Sequence, residues 1–181
     1  VVGGKNSYNT NTVKHVAFDE TIKPGWITKK KNLITENASH ENIVYMHDYI
    51  ALEPNWYEGF KSMGDDWDIC MTKLINHDET PFRDWCAWDD PQLCYFTNGR
   101  HWACLVPYNY TNTQYMYISG AYWVAKKSVM TAEPLDENLC WGESEDVEWS
   151  FRVRDKYKYK MNIWSSAKLL KQKDLILVNR R

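Results

Sequence analysis

The spacing of hydrophobic and polar residues changes repeatedly along this chain, and each change marks a predicted element. Short apolar runs that fit β-strands occupy five ranges: 13–18, 42–46, 67–75, 101–106 and 115–119. Apolar residues at helical spacing follow Pro24-Gly25 and Pro54, and recur in the segment 145–157. The segment 119–130 fits a turn, a short strand and a helix. Strands that alternate with helices predict an α/β fold.

The run NIVYM at 42–46 is apolar without interruption, which is typical of a strand that a parallel sheet covers on both faces. His47, Asp48 and Tyr49 follow it directly. Ligands of open α/β sheets bind beyond the carboxyl ends of the strands, so Asp48 is a candidate for binding phosphate or a metal. A strand that simply reaches solvent ends in the same way, and position alone leaves both interpretations open.

Acidic residues crowd around the start of the last predicted helix, at Glu143, Glu145, Asp146 and Glu148. Ser144 fits an N-cap, and acids in a first turn complement the helix dipole, which requires no further function. Trp141-Gly142 precede them, however, and a carboxylate beside an aromatic wall, partly out of water, can act as a general base. The residues alone favour the capping interpretation.

The composition narrows the classes of function. A chain of 181 residues fits one domain, and its net charge of -2 disfavours nucleic acid as a partner. It has no apolar run of eighteen residues that would predict a membrane span. Ten Trp and twelve Tyr are the clearest bias, and rings with a polar handle suit the faces and edges of sugars. Most of these rings are nevertheless expected in the core.

Three further features bear on environment and ligands. The run Lys29–Lys31 near a helix start fits either a diphosphate site or a solvated face. Five cysteines without a C-x-x-C spacing argue against zinc and predict a reducing, cytoplasmic setting. Sequons at Asn37 and Asn109 are evidence against that setting. The chain begins at Val1 without Met, so we expect part of its natural N-terminus to be missing.

Three stretches in order resemble the GT-A glycosyltransferases, especially family-2-like enzymes. They are GWITKKKNLITENASHENIVYMHDY from Gly25, YISGAYWVAKKSVM from Tyr117, and LCWGESEDVEWSFRVR from Leu139. The family has a Pro-Gly-x-x-x-x-Arg-Asn helix, an Asp-x-Asp strand end, a Ser-Gly strand and a Trp-Gly-x-Glu-Asp element in this order. The resemblance spans about residues 24–170 and implies a GT-A-like, Rossmann-related fold with a mixed, mostly parallel sheet flanked by helices.

The resemblance also implies roles for individual residues. Lys31, Asn32, His47, Asp48 and Tyr49 would bind a nucleotide-sugar donor. Glu145-Asp146 match the Glu-Asp element, whose Asp deprotonates the acceptor hydroxyl in inverting enzymes. The acceptor side would be formed by Ser119, Gly120, Ala121, Trp123 and Trp141.

One departure concerns the metal. The Asp-x-Asp pattern places His47 and Tyr49 where the two acids belong, which leaves Asp48 as the metal ligand for Mn²⁺ or Mg²⁺. One carboxylate with waters makes a weak cation site. The family's frequent late metal-binding His is also absent, because no His follows His101. Lys168 or Lys171 could neutralise the leaving diphosphate instead.

The leading hypothesis is a hexosyltransferase that moves a sugar from a nucleotide sugar to a glycan or other hydroxyl acceptor, in glycan biosynthesis. Asp146 would be the base of an inverting transfer, with Glu145 beside it. The alternative is a non-catalytic sugar- or nucleotide-binding domain on the same scaffold, because folds outlast their activities. A metal-dependent hydrolase using His47 and Asp48 is a third hypothesis, which the scattered histidines disfavour.

Overall fold

The computed structural model describes residues 1–4, 10–88, 90–91, 103–111 and 113–171. Within these ranges the helices are α1 (Ile27–Asn37), α2 (Trp56–Met63), α3 (Lys127–Ala132) and α4 (Glu145–Val153). The strands are β1 (Asn42–Met46), β2 (Ile50–Leu52), β3 (Ile69–Ile75), β4 (Cys86–Trp88), β5 (Ala103–Leu105), β6 (Met116–Tyr117), β7 (Tyr122–Lys126) and β8 (Tyr159–Leu169).

The strands form a five-stranded sheet in the order β1-β7-β3-β8-β2 and a three-stranded antiparallel sheet in the order β5-β4-β6. In the larger sheet only β3 and β8 are parallel, and the other three pairings are antiparallel. The prediction of a Rossmann-related, GT-A-like, mostly parallel sheet is therefore wrong. The fold is mixed α/β with a mostly antiparallel main sheet.

The main sheet curls until it is nearly closed, like a barrel. Its edge strands β1 and β2 are consecutive in the chain and are joined only by residues 47–49. The four peptide steps from Met46 to Ile50 reach about 14 Å at most. The outer strands of a flat five-stranded sheet would lie about 19 Å apart. The short connection thus requires the two edges to approach each other.

Burial along β1 explains why its apolar run misled the prediction. Ile43 and Tyr45 point into the core, whereas Asn42 and Met46 are exposed. Val44, between them, is only partly buried, so the strand is covered mainly on one face. Within the described ranges it lies at a sheet edge and pairs with β7. Such alternation is normal for an antiparallel strand, and an uninterrupted apolar sequence does not exclude it.

The longest strand, β8, was not predicted. Its pairing with β3 moves from Thr72–Asn162 to Lys73–Ser166, so residues 163–165 bulge out of the ladder. Asn162 stabilises the bulge, because its side-chain oxygen accepts the backbone N–H groups of Trp164 and Ser165. A strand is recognised in a sequence by alternating apolar and polar residues, and the buried Asn162 and Ser165 at this bulge interrupt that pattern.

Helix α2 packs closely on this bulge. A Cβ on Gly59 would lie 2.3 Å from the hydroxyl of Ser165, so only glycine allows the helix to approach. The Ser165 hydroxyl donates to the carbonyl of Trp56. Helix α2 was predicted, and its packing depends on a contact more than a hundred residues away.

The other elements agree with the predictions to different degrees. Helix α1, strand β3 and the strand–helix pair β7–α3 are confirmed, and α4 is confirmed but ends at Val153 rather than at 157. The predicted strand 13–18 is wrong, since only Val16 forms an isolated bridge, with Val2. The many acidic and aromatic residues of the segment 80–92 predict an irregular loop, but strand β4 lies within it. Residues 101–102 of the predicted strand 101–106 lie outside the described ranges.

One hydrophobic core connects both sheets. Its centre is a stack of aromatic rings, in which Tyr45 lies parallel to Trp123 at 4.6 Å between centroids. The ring of Trp149 in α4 lies 6.4 Å from that of Trp123, between centroids. The core thereby fixes α4 against β1 and β7, and so places the acidic start of α4 beside the end of β1.

Candidate functional site

A cavity of about 410 Å³ opens where the start of α4 meets the ends of β1 and β6. We call it the carboxylate cavity. Its lining includes His47, Tyr49, Arg83, Tyr117, Gly120, Ala121, Trp141, Glu145 and Asp146. The structure therefore brings together residues that the sequence separates by up to a hundred positions.

Asp146 is held in this cavity by two backbone donors. The N–H of Gly120 donates to Oδ2 at 2.7 Å and the N–H of Val147 donates to Oδ1 at 2.9 Å. A carboxylate oxygen has two lone pairs, so each oxygen keeps one for a ligand. The carboxylate is fixed in place and can still accept a proton.

Glu145 lies beside Asp146 and is only 6 % exposed. Burial raises the pKa of Glu145 above its ordinary value, and the neighbouring charge of Asp146 raises it further. Lys31 opposes this effect from the other side. Two adjacent carboxyl groups with different environments are a frequent arrangement where protons are transferred.

The other two acids near the start of α4 have structural partners. Glu143 accepts the backbone N–H of Cys140 at 2.6 Å, and Glu148 pairs with Arg152 at 2.5 Å. Ser144 is at the N-cap position but makes no side-chain capping bond, because its backbone is left-handed with a φ of 61°. The predicted capping by its hydroxyl is therefore wrong.

Gly120 is the closest neighbour of the acidic pair. A Cβ at this position would lie 3.0 Å from Asp146 Oδ2 and 3.3 Å from Glu145 Oε1. The turn that carries it continues into Ala121, whose carbonyl accepts the backbone N–H of His47 at 3.0 Å. This bond ties the turn at residues 119–122 to the end of β1.

The two tryptophans predicted on the acceptor side have opposite environments. Trp141 lines the carboxylate cavity and is 68 % exposed, so its ring is available to a ligand. Trp123 is fully buried in the aromatic stack of the core. Of the two, only Trp141 can serve as a sugar platform in this conformation.

A second cavity, of about 850 Å³, lies between α1 and the end of β1. We call it the lysine cavity, because Lys30 and Lys31 line it together with Asp48, His47 and the first residues of the chain. His47 lines both cavities, so they meet at residues 47–49, the junction segment. Lys30 is paired with Glu20 at the edge of this cavity.

Lys31 connects the two cavities. Its ammonium donates to the carbonyl of Gly120 at 2.8 Å and lies 4.5 Å from the centre of the Trp123 ring. Burial lowers the pKa of Lys31 to about 8, while Glu145 and Asp146 act to raise it. A buried cation is thus placed behind the acidic pair.

Asn32 does not line either cavity. Its side-chain amide donates to the carbonyl of Leu135 at 2.9 Å and to Glu137 at 3.0 Å. Its oxygen accepts the N–H of Leu135 at 3.0 Å. These bonds attach α1 to the segment after α3, which gives Asn32 a structural role in this conformation.

The residues around Asp48 do not fit a divalent cation well. Within the described ranges, no group of three or more His, Cys, Asp or Glu side chains could hold a metal ion. The neighbours of Asp48 in the junction segment are His47 and Tyr49, whose rings meet edge to face at 5.2 Å. The expected cation remains a prediction.

Sequence reasoning did not identify Arg83, which lines the carboxylate cavity. It lies in the segment 80–92, which the sequence predicts to be an acidic loop because acids and aromatic residues outnumber its one cation.

Lys168 and Lys171 are both predicted candidates for neutralising the diphosphate, and the structure gives the two side chains different contacts. Lys168 pairs with Glu79, whereas the ammonium of Lys171 lies 4.3 Å from the centre of the Tyr49 ring.

No protein-family model matches this chain, and no curated protein sequence is significantly similar to it. The resemblance to glycosyltransferases therefore rests on the three motifs alone. Among the residues that the structure describes, no helix has the length and apolar character needed to cross a membrane.

Proposed function

We propose that this protein transfers a sugar from a nucleotide-sugar donor to a hydroxyl group of a glycan or similar acceptor. The observation that carries the proposal is the carboxylate cavity, where Glu145 and Asp146 lie with the exposed ring of Trp141 and adjoin a larger cavity lined by lysines. An aromatic platform suits a sugar ring, and lysine side chains that line a recess suit a phosphate ester. The motif resemblance points to the same chemistry.

In the proposed reaction, Asp146 acts as the general base. It takes the proton of the acceptor hydroxyl while the hydroxyl oxygen attacks the anomeric carbon of the donor. The bond from that carbon to the phosphate oxygen breaks, and its electron pair leaves with the nucleoside diphosphate. Attack opposite to the leaving group inverts the anomeric configuration.

Glu145 has a positioning role in this scheme. Its carboxyl group lies next to the base and would hydrogen-bond other hydroxyls of the acceptor. Because its pKa is raised, it is protonated at a higher pH than an ordinary Glu and can then donate a hydrogen bond. The junction segment and the lysine cavity would hold the donor.

The test is a transfer assay with UDP-, GDP-, CMP- and dTDP-sugars, with Mn²⁺ or with EDTA. Asp146→Asn is expected to lower the rate by roughly 10²- to 10⁴-fold, the usual contribution of general base catalysis. Glu145→Gln is the matched variant one residue away, and it should retain measurable transfer. Transfer by Asp146→Asn at the wild-type rate would exclude Asp146 as the base.

Folding and donor binding need a separate control. In Asp146→Asn the new side-chain NH₂ would face one of the two backbone N–H donors that now bind the carboxylate, so a modest loss of stability is expected. Donor binding by the folded variant shows that only the chemical step is lost.

A non-catalytic sugar- or nucleotide-binding domain is the second candidate. It is favoured by the junction segment, where Asp48 is flanked by His47 and Tyr49 rather than by acids. The same assay separates the two proposals. Binding of a nucleotide sugar without release of any nucleoside diphosphate, with every acceptor and cation tested, would favour the binding domain.

A further inference from the structure

Two cationic side chains act on Tyr49 of the junction segment. The ammonium of Lys171 lies 4.3 Å from the centre of its ring, and Arg83 lines the carboxylate cavity together with it. Burial raises the pKa of Tyr49 most, and the negative charge of Asp48 also raises it. The positive charges of Lys171 and Arg83 act in the opposite direction and lower it. Both cations are therefore close enough to Tyr49 to stabilise a negative charge at the junction segment.

Neither cation is neutralised by a carboxylate within the described ranges of the chain. Among these residues, the Nε of Arg83 is buried without a hydrogen-bond partner, and its guanidinium lies 5.9 Å from the centre of the Phe82 ring. Lys171 is exposed and is not among the ion-paired lysines of the described chain, in contrast to Lys168, which pairs with Glu79. Arg83 is only half-buried and lines the carboxylate cavity, and its guanidinium makes no hydrogen bond or ion pair with the described residues, so it can bind an anionic ligand there.

The same place lacks the ligands for a metal. Asp48 is the only carboxylate of the junction segment, and no metal-binding group of three side chains occurs in the described part of the chain. A diphosphate at this point would still need positive charge, because it gains negative charge as it leaves. Arginine binds phosphate oxygens through two parallel N–H groups, and lysine acts as a point charge.

We propose that Arg83 and Lys171 bind the diphosphate of the donor at the junction segment and neutralise it in place of a divalent cation. This inference rests on the proposed sugar transfer. When the bond between the anomeric carbon and the phosphate oxygen breaks, the electron pair stays on that oxygen and the acceptor proton goes to Asp146. The guanidinium and the ammonium stabilise the new charge by hydrogen bonds, without losing a proton and without a further reactant.

The experiment measures the binding of UDP, GDP, dTDP and inorganic pyrophosphate to the full chain by calorimetry in EDTA. We expect pyrophosphate and at least one nucleotide to bind. Arg83→Met and Lys171→Met should each weaken this binding roughly ten- to hundredfold, as expected for a charge-assisted hydrogen bond. Lys168→Met is the matched control, because it removes a lysine three positions away that already has a partner. It should leave binding unchanged.

A structural role for these residues is tested by melting the variants without ligand. Lys171 is exposed, so Lys171→Met should melt as the wild type does and remain informative even if Arg83→Met does not fold. Arg83→Lys should restore part of the pyrophosphate affinity.

The outcomes separate this inference from the proposal on which it rests. Binding that occurs only with Mn²⁺ or Mg²⁺, or that is unaffected by Lys171→Met, overturns the role of the two cations and leaves sugar transfer standing. Absence of binding for every nucleotide and for pyrophosphate, with and without cations, overturns both.

Discussion

The two cavities that meet at His47 hold their charges in different ways. In the carboxylate cavity, Asp146 is fixed by backbone N–H groups of Gly120 and Val147. In the lysine cavity, Asp48 is exposed and Lys30 is paired with Glu20 at the edge. One site is preorganised around a single functional group, and the other is a wider recess of mixed charge. The difference fits a division between proton transfer, which needs fixed geometry, and accommodation of a large donor, which needs space. The positive charge for the donor's diphosphate lies at the junction segment, where the two cavities meet.

The largest expected effect comes from Lys31, which touches both cavities. Its folded-state pKa is about 8, lower than the ordinary 10.5. Between these values the unfolded chain binds the proton and the folded chain does not, so the free energy of unfolding rises with pH. Over this window the rise due to Lys31 should be on the order of 3 kcal/mol.

The measurement is chemical denaturation of the wild type and Lys31→Met from pH 7 to pH 11. Tyrosines also titrate in this range, and the difference between the two proteins removes their common contribution. The difference in the free energy of unfolding between the two proteins should change most between pH 8 and pH 10.5. If this difference is constant with pH, the pKa of Lys31 is not lowered by burial between the cavities.

Gly120→Ala tests the fixed geometry of the carboxylate cavity alone. The new Cβ would press on Asp146 Oδ2 and displace the carboxylate by a few tenths of an ångström. Misplacement on this scale should lower transfer roughly ten- to hundredfold with little change in melting temperature. Gly64→Ala is the opposite control, because Gly64 has a φ of 74° and open space around it. It should lose stability and keep its activity, and equal loss of activity in both variants would contradict the steric explanation.

Trp141→Ala should have the smallest effect, confined to the acceptor side. Its exposed ring contributes little to the core, so the melting temperature should be unchanged. Loss of a stacking surface should raise the KM for the acceptor roughly three- to tenfold and leave kcat similar. Trp164→Ala removes a ring that is 53 % exposed on the β8 bulge and should change neither parameter. A KM that is insensitive to Trp141 would remove it from the acceptor site.

Local pattern was sufficient for several elements of this fold. Helix α1 and strand β3 were predicted because their spacing is regular and their ends carry Pro, Gly or polar residues. The apolar spacing of α1 did not identify its most buried face. The buried residues are Thr28, Lys31, Asn32 and Thr35, since the helix packs polar groups against the site and against the segment after α3.

Whether the strands pair in parallel or antiparallel could not be predicted from the sequence. The apolar run of β1 suggested a parallel sheet, but its partner is β7, some eighty residues later, in antiparallel register. The strand β8 pairs with β2 in a regular ladder and with β3 across a bulge that polar side chains stabilise. Pairing depends on contacts between distant residues, which no local period encodes.

The sequence by itself determined the adjacency of Glu145 and Asp146, the position of Trp141 shortly before them, and the polar segment 47–49 after an apolar strand. Tertiary structure decided that Gly120 donates to Asp146, that Lys31 lies behind the acids, and that Trp123 belongs to the core. It also placed Arg83 and Lys171 near Tyr49. Neighbours in the chain follow from covalent connectivity, whereas the charge and burial of a site depend on which distant segments the core packs against it.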